Sequence, residues 1–162
     1  MSMVLLRFIF GLGFLIAASL AAAPAQAQVN MPDPEYDVPL SEAELITAFK
    51  GQTHRGTYNF KRVSFRTFGF EETTQSDGGV EHKQDGHTDT GRYTIKDDLL
   101  CFTYDPNERG EFARYNPICF NIYQRGNCYY HYQRSVNNTP VRGFTARSVI
   151  KGNNPDCAPQ IS

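Results

Sequence analysis

The residues best suited to chemistry lie in one short polar run, 82–89, with the sequence His-Lys-Gln-Asp-Gly-His-Thr-Asp. Imidazole together with carboxylate is a common ligand set for zinc and other divalent metals. The candidate ligands are His82, Asp85, His87 and Asp89. A hairpin turn in the middle of the run would bring the two histidines to either side of one ion. The alternative is an exposed turn, which also collects Asp, Gly, His and Lys. The run therefore predicts either a metal site or an ordinary turn.

Signatures of other chemistry are missing from the sequence. It has no Gly-x-Ser-x-Gly nucleophile elbow and no Gly-rich phosphate loop between a strand and a helix.

The aromatic run 129–132, Tyr-Tyr-His-Tyr, would send rings to both faces of a strand. One face could line a ligand cavity, or one ring could pack in the core while the others cover the outside with wet hydroxyls. We predict no cofactor, and enzyme activity stays an open question.

Charge is distributed unevenly along the chain. Residues 28–111 carry 16 acidic and 9 basic side chains, whereas no acidic residue lies between Glu111 and Asp156. The basic residues of that second part are Arg114, Arg125, Arg134, Arg142, Arg147 and Lys151. If consecutive strands are neighbours, they form a basic sector that could bind an anionic partner. Its candidate contacts are Arg125, Arg134, Arg142 and Arg147. Alternatively, these arginines only neutralise the acidic half.

The first 27 residues predict where the protein works. A single arginine precedes an apolar run over 8–23, and Ala-Gln-Ala at 25–27 is the pattern that a signal peptidase cuts behind. The apolar run is shorter than the roughly 20 residues needed to span a bilayer, so we expect cleavage and no transmembrane segment in the mature form. No cysteine marks a lipoprotein site. The mature protein is predicted to be periplasmic or secreted.

The rest of the chain divides into two parts. Residues 28–39 hold three prolines in an acidic stretch and predict an extended tether. Residues 40–162 have the size of one domain with a real core. The mature chain carries 15 basic and 17 acidic side chains, which argues against a nucleic-acid binder.

All four cysteines lie in the mature part, at positions 101, 119, 128 and 157. An exported chain with an even number of cysteines normally pairs them, and three connectivities are possible. If the apolar runs around Cys101 and Cys119 form a hairpin, these two cysteines lie opposite each other, which leaves Cys128 to bind Cys157. The spacings contain no Cys-x2-Cys metal knuckle. We therefore predict two structural disulfides.

Secondary-structure patterns predict a mainly β domain. One short helix begins at Ser41, with Glu44 as its capping-box partner, and ends at Gly51. Leu45, Ile46 and Phe49 form its apolar stripe. From residue 54 onward, eight short strands rich in Thr, Tyr, Phe, Val and Ile are separated by turn residues. We predict a small antiparallel β-barrel or sandwich with one short N-terminal helix.

The segment 91–102, followed by Cys119 and Gly126, resembles a family of small exported proteins of unknown function from alphaproteobacteria. The resemblance covers about 41–134, although Tyr93 and Tyr104 stand where that pattern would have tryptophan. It implies a bacterial periplasmic protein in which the first two cysteines form the usual disulfide and the other two an added one. It supplies no catalytic residue.

Together these patterns predict an exported, non-enzymatic binding protein of the cell envelope. Its partner would be an unknown anionic envelope component or protein, recognised through the basic C-terminal sector. Two alternatives remain open, a small metal-dependent hydrolase built on the run 82–89 and a purely structural envelope protein.

Overall fold

The computed structural model describes residues 31–59, 68–106, 117–134, 143–155 and 157. The predicted signal peptide lies outside these residues. The elements in chain order are α1 (Glu42–Phe49), β1 (Thr53–Tyr58), β2 (Gly69–Thr74), β3 (Gly79–Gln84), β4 (His87–Lys96), β5 (Leu99–Tyr104), β6 (Ile118–Arg125), β7 (Cys128–Gln133) and β8 (Ala146–Ile150). Within the described ranges, no helix is long and apolar enough to cross a membrane.

The eight strands form a closed antiparallel barrel in sequence order, which confirms the predicted fold class and selects the barrel over the sandwich. Each strand pairs with the next, and β8 returns to pair with β1 through the register Gly56 to Ser148. Closure leaves no unpaired strand edge. Because successive residues of a strand point to opposite faces, alternate residues fill the interior.

The strand that showed the clearest alternation in the sequence, 62–72, coincides only in part with an observed one. Its Val63, Phe65 and Thr67 lie outside the described residues, and β2 begins at Gly69. Phe70 of β2 is buried on the inner face.

Helix α1 begins and ends as predicted. The Glu44 carboxylate accepts a hydrogen bond from the Ser41 amide (2.8 Å), which is the bond that the glutamate supplies in a capping box, and a second one from the Ser41 hydroxyl (2.6 Å). Gly51 follows the helix with φ +75°, a conformation that favours glycine. The buried face is Leu45, Ala48 and Phe49. Ile46, predicted to belong to the apolar stripe, is 42% exposed because it lies about 100° around the helix from Leu45.

The barrel has two unlike ends. The closed end carries helix α1 and the short turns 75–78, 97–98 and 126–127. The opposite end, called the open end because α1 does not cover it, carries the turn 85–86 and the strand ends Tyr58, Gly69, Tyr104, Ile118, Gln133 and Ala146. The short turns of the closed end join β2 to β3, β4 to β5 and β6 to β7.

Helix α1 lies over the closed end and is bonded to it at several points. The Phe49 ring stacks on the His54 ring with 4.3 Å between centroids, and the Thr74 hydroxyl donates to the Phe49 carbonyl. The Glu42 amide donates to the Asp98 carboxylate (2.7 Å) in the β4–β5 turn. Leu45 and Phe49 are fully buried there, so the helix completes the barrel core.

Both predicted disulfides are present, Cys101–Cys119 and Cys128–Cys157. The first joins residues directly opposite each other on β5 and β6, as the hairpin argument expected. The second ties the C-terminal segment to β7, where Cys128, Tyr130, Phe144, Val149 and Cys157 form a separate apolar cluster on the outer face of the barrel. The two disulfides thus reinforce the wall of the barrel from outside.

The described part of the predicted tether, 31–39, also lies against the outer face. The Tyr132 hydroxyl donates to the Pro32 carbonyl (2.6 Å), and Asp37 forms an ion pair with Arg125. The Leu40 amide then donates to the Ile122 carbonyl (2.7 Å). This segment is therefore bonded to β6 and β7.

Candidate functional site

A cavity lies inside the open half of the barrel, away from helix α1. Its lining residues are Tyr58, Phe70, Glu72, Phe102, Tyr104, Ile118, Phe120, His131 and Ala146. Its empty volume is about 330 Å³ including the part open to solvent, of which about 20 Å³ can hold the centre of a water molecule. That is room for one or two waters as the side chains stand. The cavity therefore fits a small group rather than a large apolar ligand.

A buried carboxylate is the main polar feature of this cavity. Glu72 is 7% exposed, and its Oε2 accepts hydrogen bonds from the Tyr104 hydroxyl and from Nδ1 of His82 (3.3 Å). On the other side of the His82 ring, Nε2 lies 3.4 Å from the Tyr58 hydroxyl. Both bonds to Glu72 fall on Oε2, so Oε1 receives none from the described residues. A carboxylate oxygen thus remains available to a molecule in the cavity.

The surroundings keep Glu72 ionised. Burial by itself would raise the pKa of Glu72, but the hydrogen bond and charge of His82 and the hydrogen bond from Tyr104 outweigh burial and lower the pKa. The Glu72 carboxylate is therefore ionised at neutral pH.

A second chain of polar groups lies deeper in the barrel. The Ser148 hydroxyl is 2.8 Å from Nε2 of His131 and 3.0 Å from Nδ1 of His54, and Nε2 of His54 is 3.0 Å from the Ala48 carbonyl. Burial lowers the pKa of His54, and it lowers the pKa of His131 to about 3. A serine beside a histidine can act as a nucleophile, but Ser148 is fully buried and does not line the cavity. These contacts therefore serve to satisfy buried polar groups.

The inner face of the described strands carries acidic but no strongly basic side chains. Glu72 and Asp89 both point inward, since Asp89 lies directly opposite the buried His82. The lysines and arginines of the strands all fall at outward positions of the alternation, and they are Arg55, Lys83, Arg92, Lys96, Arg125 and Arg147. The two inward carboxylates therefore have no lysine or arginine beside them on the inner face of the described strands.

The structure does not bring the four predicted metal ligands together. The turn at Asp85 forms as expected, with positive φ at Asp85 and Gly86, but His82 is fully buried inside the barrel while His87 is exposed at its open end. The hairpin register pairs His82 with Asp89 and places His87 opposite a different residue, Gln84. Among the described residues, no three His, Cys, Asp or Glu side chains cluster as a metal site. The hydrolase hypothesis thus has no centre in this part of the chain.

The predicted anion-binding arginines are also spread apart. Arg125 ends β6 at the closed end and forms an ion pair with Asp37, whereas Arg134 follows β7 at the open end and is exposed. Arg147 is 7% exposed, with its guanidinium carbon 5.8 Å from the centroid of the Phe144 ring. Arg142 lies outside the described residues. About 20 Å of strand β7 separates Arg125 from Arg134.

The cavity residues were missed for an identifiable reason. Extending the alternation of Val63, Phe65 and Thr67 would place Glu72 on the polar face of its strand, whereas the structure has Glu72 on the inner face with Phe70. His131 was noted in the sequence, and the structure places it in the cavity wall. The available signal was a carboxylate two residues from a phenylalanine in a strand.

No family model, curated protein or solved structure matches the chain in the comparisons with known proteins. The resemblance to small exported alphaproteobacterial proteins therefore stays a prediction. The functional argument depends on the geometry of the barrel.

Proposed function

We propose that the protein is an extracytoplasmic binding protein that takes a small ligand into the open end of its barrel. Two disulfides are typical of proteins that fold in an oxidising compartment, which supports the predicted periplasmic or secreted location. The observation that carries the proposal is the Glu72 carboxylate, which lines an aromatic cavity, is kept charged there, and has no hydrogen bond to Oε1 from the described residues.

Energetics favour a binding role over a structural one for this site. A buried carboxylate loses its hydration, and a hydrogen-bonded partner offsets that cost only in part. Apolar side chains in place of Glu72 and its partners would fill the core equally well without this desolvation cost. The charge at Glu72 is thus better explained by a ligand than by stability.

The test is a thermal-shift screen of the oxidised protein with small amines, alcohols, carboxylates and sugars. Ala146 lines the cavity, so Ala146→Ile fills part of it, whereas Thr103→Ile adds the same side chain to an exposed outward position of β5. At least one ligand class should raise the Tm of the wild type and of Thr103→Ile. The same ligands should leave the Tm of Ala146→Ile unchanged. If no class raises the Tm of the wild type, the proposal is wrong.

Recognition of an anionic envelope component is a second proposal, confined to the open end. Arg134 supports it, because its guanidinium is exposed and lies 3.4 Å from the neutral amide oxygen of Asn121. Retention on anionic vesicles that falls with salt, and falls further in Arg134→Glu, is the expected result. Equal retention of the two proteins would leave the arginines with a neutralising role.

A further inference from the structure

Three features of the cavity concern the kind of ligand it accepts, and they build on the binding function proposed above. The first is charge. The inward side chains of the described strands include two buried carboxylates, Glu72 and Asp89, and no lysine or arginine, and burial lowers the pKa of His54 and of His131. A cation entering the barrel is therefore attracted and an anion repelled.

The second feature is the ring of aromatic side chains. Tyr58, Phe70, Phe102, Tyr104 and Phe120 line the cavity around Glu72. The rings of Tyr58 and Phe70 lie 4.7 Å apart, and that of Phe102 lies 6.0 Å from the ring of Phe120. The faces of aromatic rings carry partial negative charge and attract cations, more strongly where water is excluded. Aromatic rings around a carboxylate are thus a surface complementary to a positive group.

The third feature is size. Room for one or two waters admits an ammonium group, whereas a quaternary ammonium or a guanidinium needs more space. An ammonium group also has three N–H donors, and Oε1 of Glu72 is an acceptor without a bond from the described residues. The remainder of the ligand would extend through the open end.

We infer that the ligand is a primary amine, bound with its ammonium group beside Oε1 of Glu72 among the aromatic rings and with its substituent toward the open end of the barrel.

The experiment compares three probes of equal length that differ in charge: propylammonium, propan-1-ol and propanoate. Each is titrated into the isotopically labelled, oxidised full chain, and backbone amide shifts are followed by NMR at pH 7. Propylammonium should give saturable shifts at residues of the cavity wall. Propan-1-ol should bind about tenfold more weakly, since it lacks the charge-assisted hydrogen bond. Propanoate should give no saturable shift.

Two neighbouring carboxylates provide a matched pair of variants. Glu72→Gln removes the inward charge, while Glu71→Gln removes an outward one that is paired with Lys151 (2.8 Å). Glu72→Gln should weaken propylammonium binding about tenfold, and Glu71→Gln should leave it within about twofold. If Glu72→Gln does not fold, the ranking of the three probes on the wild type decides the question.

The outcomes separate this inference from the binding function beneath it. If all three probes bind the cavity equally, or if propanoate binds best, the ligand is not a primary amine, although the cavity is still a binding site. Binding of propylammonium that is unaffected by Glu72→Gln also overturns the inference, since the carboxylate is then not the recognising group. Failure of these probes and of the whole ligand screen overturns the binding function itself.

Discussion

The closed and open ends of the barrel differ in what they bury. At the closed end, helix α1 brings Leu45 and Phe49 into contact with the barrel, and the buried His54 and Thr74 side chains there bond to backbone carbonyls of the helix. The open half instead buries a carboxylate between His82 and Tyr104 beside empty space. The difference teaches that the residues which pack the helix and the carboxylate of the proposed binding site lie in different halves of one small barrel, with His131 in contact with Phe49 on one side and lining the cavity on the other.

The largest expected effect comes from breaking the closed end. Phe49→Ala removes a fully buried ring that contacts His54, Tyr129 and His131, and it should lower the free energy of unfolding by about 3 to 5 kcal/mol. Urea denaturation of the oxidised protein measures this. Ile46→Ala on the exposed side of the same helix is the control and should change stability by about 0.5 kcal/mol or less. Equal losses in both variants would mean that the helix does not pack as described.

A second prediction concerns the disulfide that fastens the C-terminal segment to β7. Replacing Cys128 and Cys157 by alanine opens a loop of 29 residues and should cost about 3 to 4 kcal/mol in the chain-entropy account. Denaturation with peptide mapping of the remaining disulfide checks it. Removal of Cys101–Cys119, with a sequence separation of 18, should cost slightly less. The reverse order would show that the outer apolar cluster contributes little.

The third prediction uses acid to probe the interior. The pKa of His131 is lowered from 6.5 to about 3 in the folded protein, mainly by burial, so between these pH values the unfolded chain binds a proton that the folded chain does not. Stability should therefore fall as the pH drops from 6.5 toward 3, by about 1.4 kcal/mol per pH unit for each such proton. His54, whose pKa is also lowered by burial, adds to this fall.

Variants separate His131 from the rest of the acid response. Urea midpoints between pH 4 and 7 should decrease less steeply in His131→Gln than in the wild type, whereas the exposed His87→Gln should retain the wild-type slope. A slope that His131→Gln leaves unchanged would contradict the buried, uncharged histidine.

The smallest expected change in stability comes from replacing one surface arginine at each end of the barrel. Arg125→Gln removes the ion pair that holds Asp37, whose pKa is lowered first by its backbone hydrogen bond with Asp33 and next by Arg125. It should lower the urea midpoint slightly, and Arg134→Gln at the open end should lower it less, because exposed pairs contribute little. A larger loss from Arg134→Gln would give that residue a structural role.

The predictable parts of the molecule depend on local pattern. Ser41 and Glu44 define the helix start within four residues, and the apolar runs around Cys101 and Cys119 fix a hairpin and with it a disulfide. The site is not local in this sense, since Glu72, His82 and Tyr104 come from three strands. Only barrel closure and the register of each strand pair bring these three residues together. The alternation seen before β2 does not continue into that strand, so the sequence did not indicate which face Glu72 occupies.

The attachment of both chain segments to β7 has a practical consequence for experiments on an immobilised protein. Pro32 is bonded to Tyr132 and Cys157 to Cys128, so a coupling handle before the first or after the second leaves from the same side of the barrel. In a ring of eight strands, β3 is diametrically opposite β7. A sensor surface coupled through either segment would thus present the wall around β3 to the flowing solution.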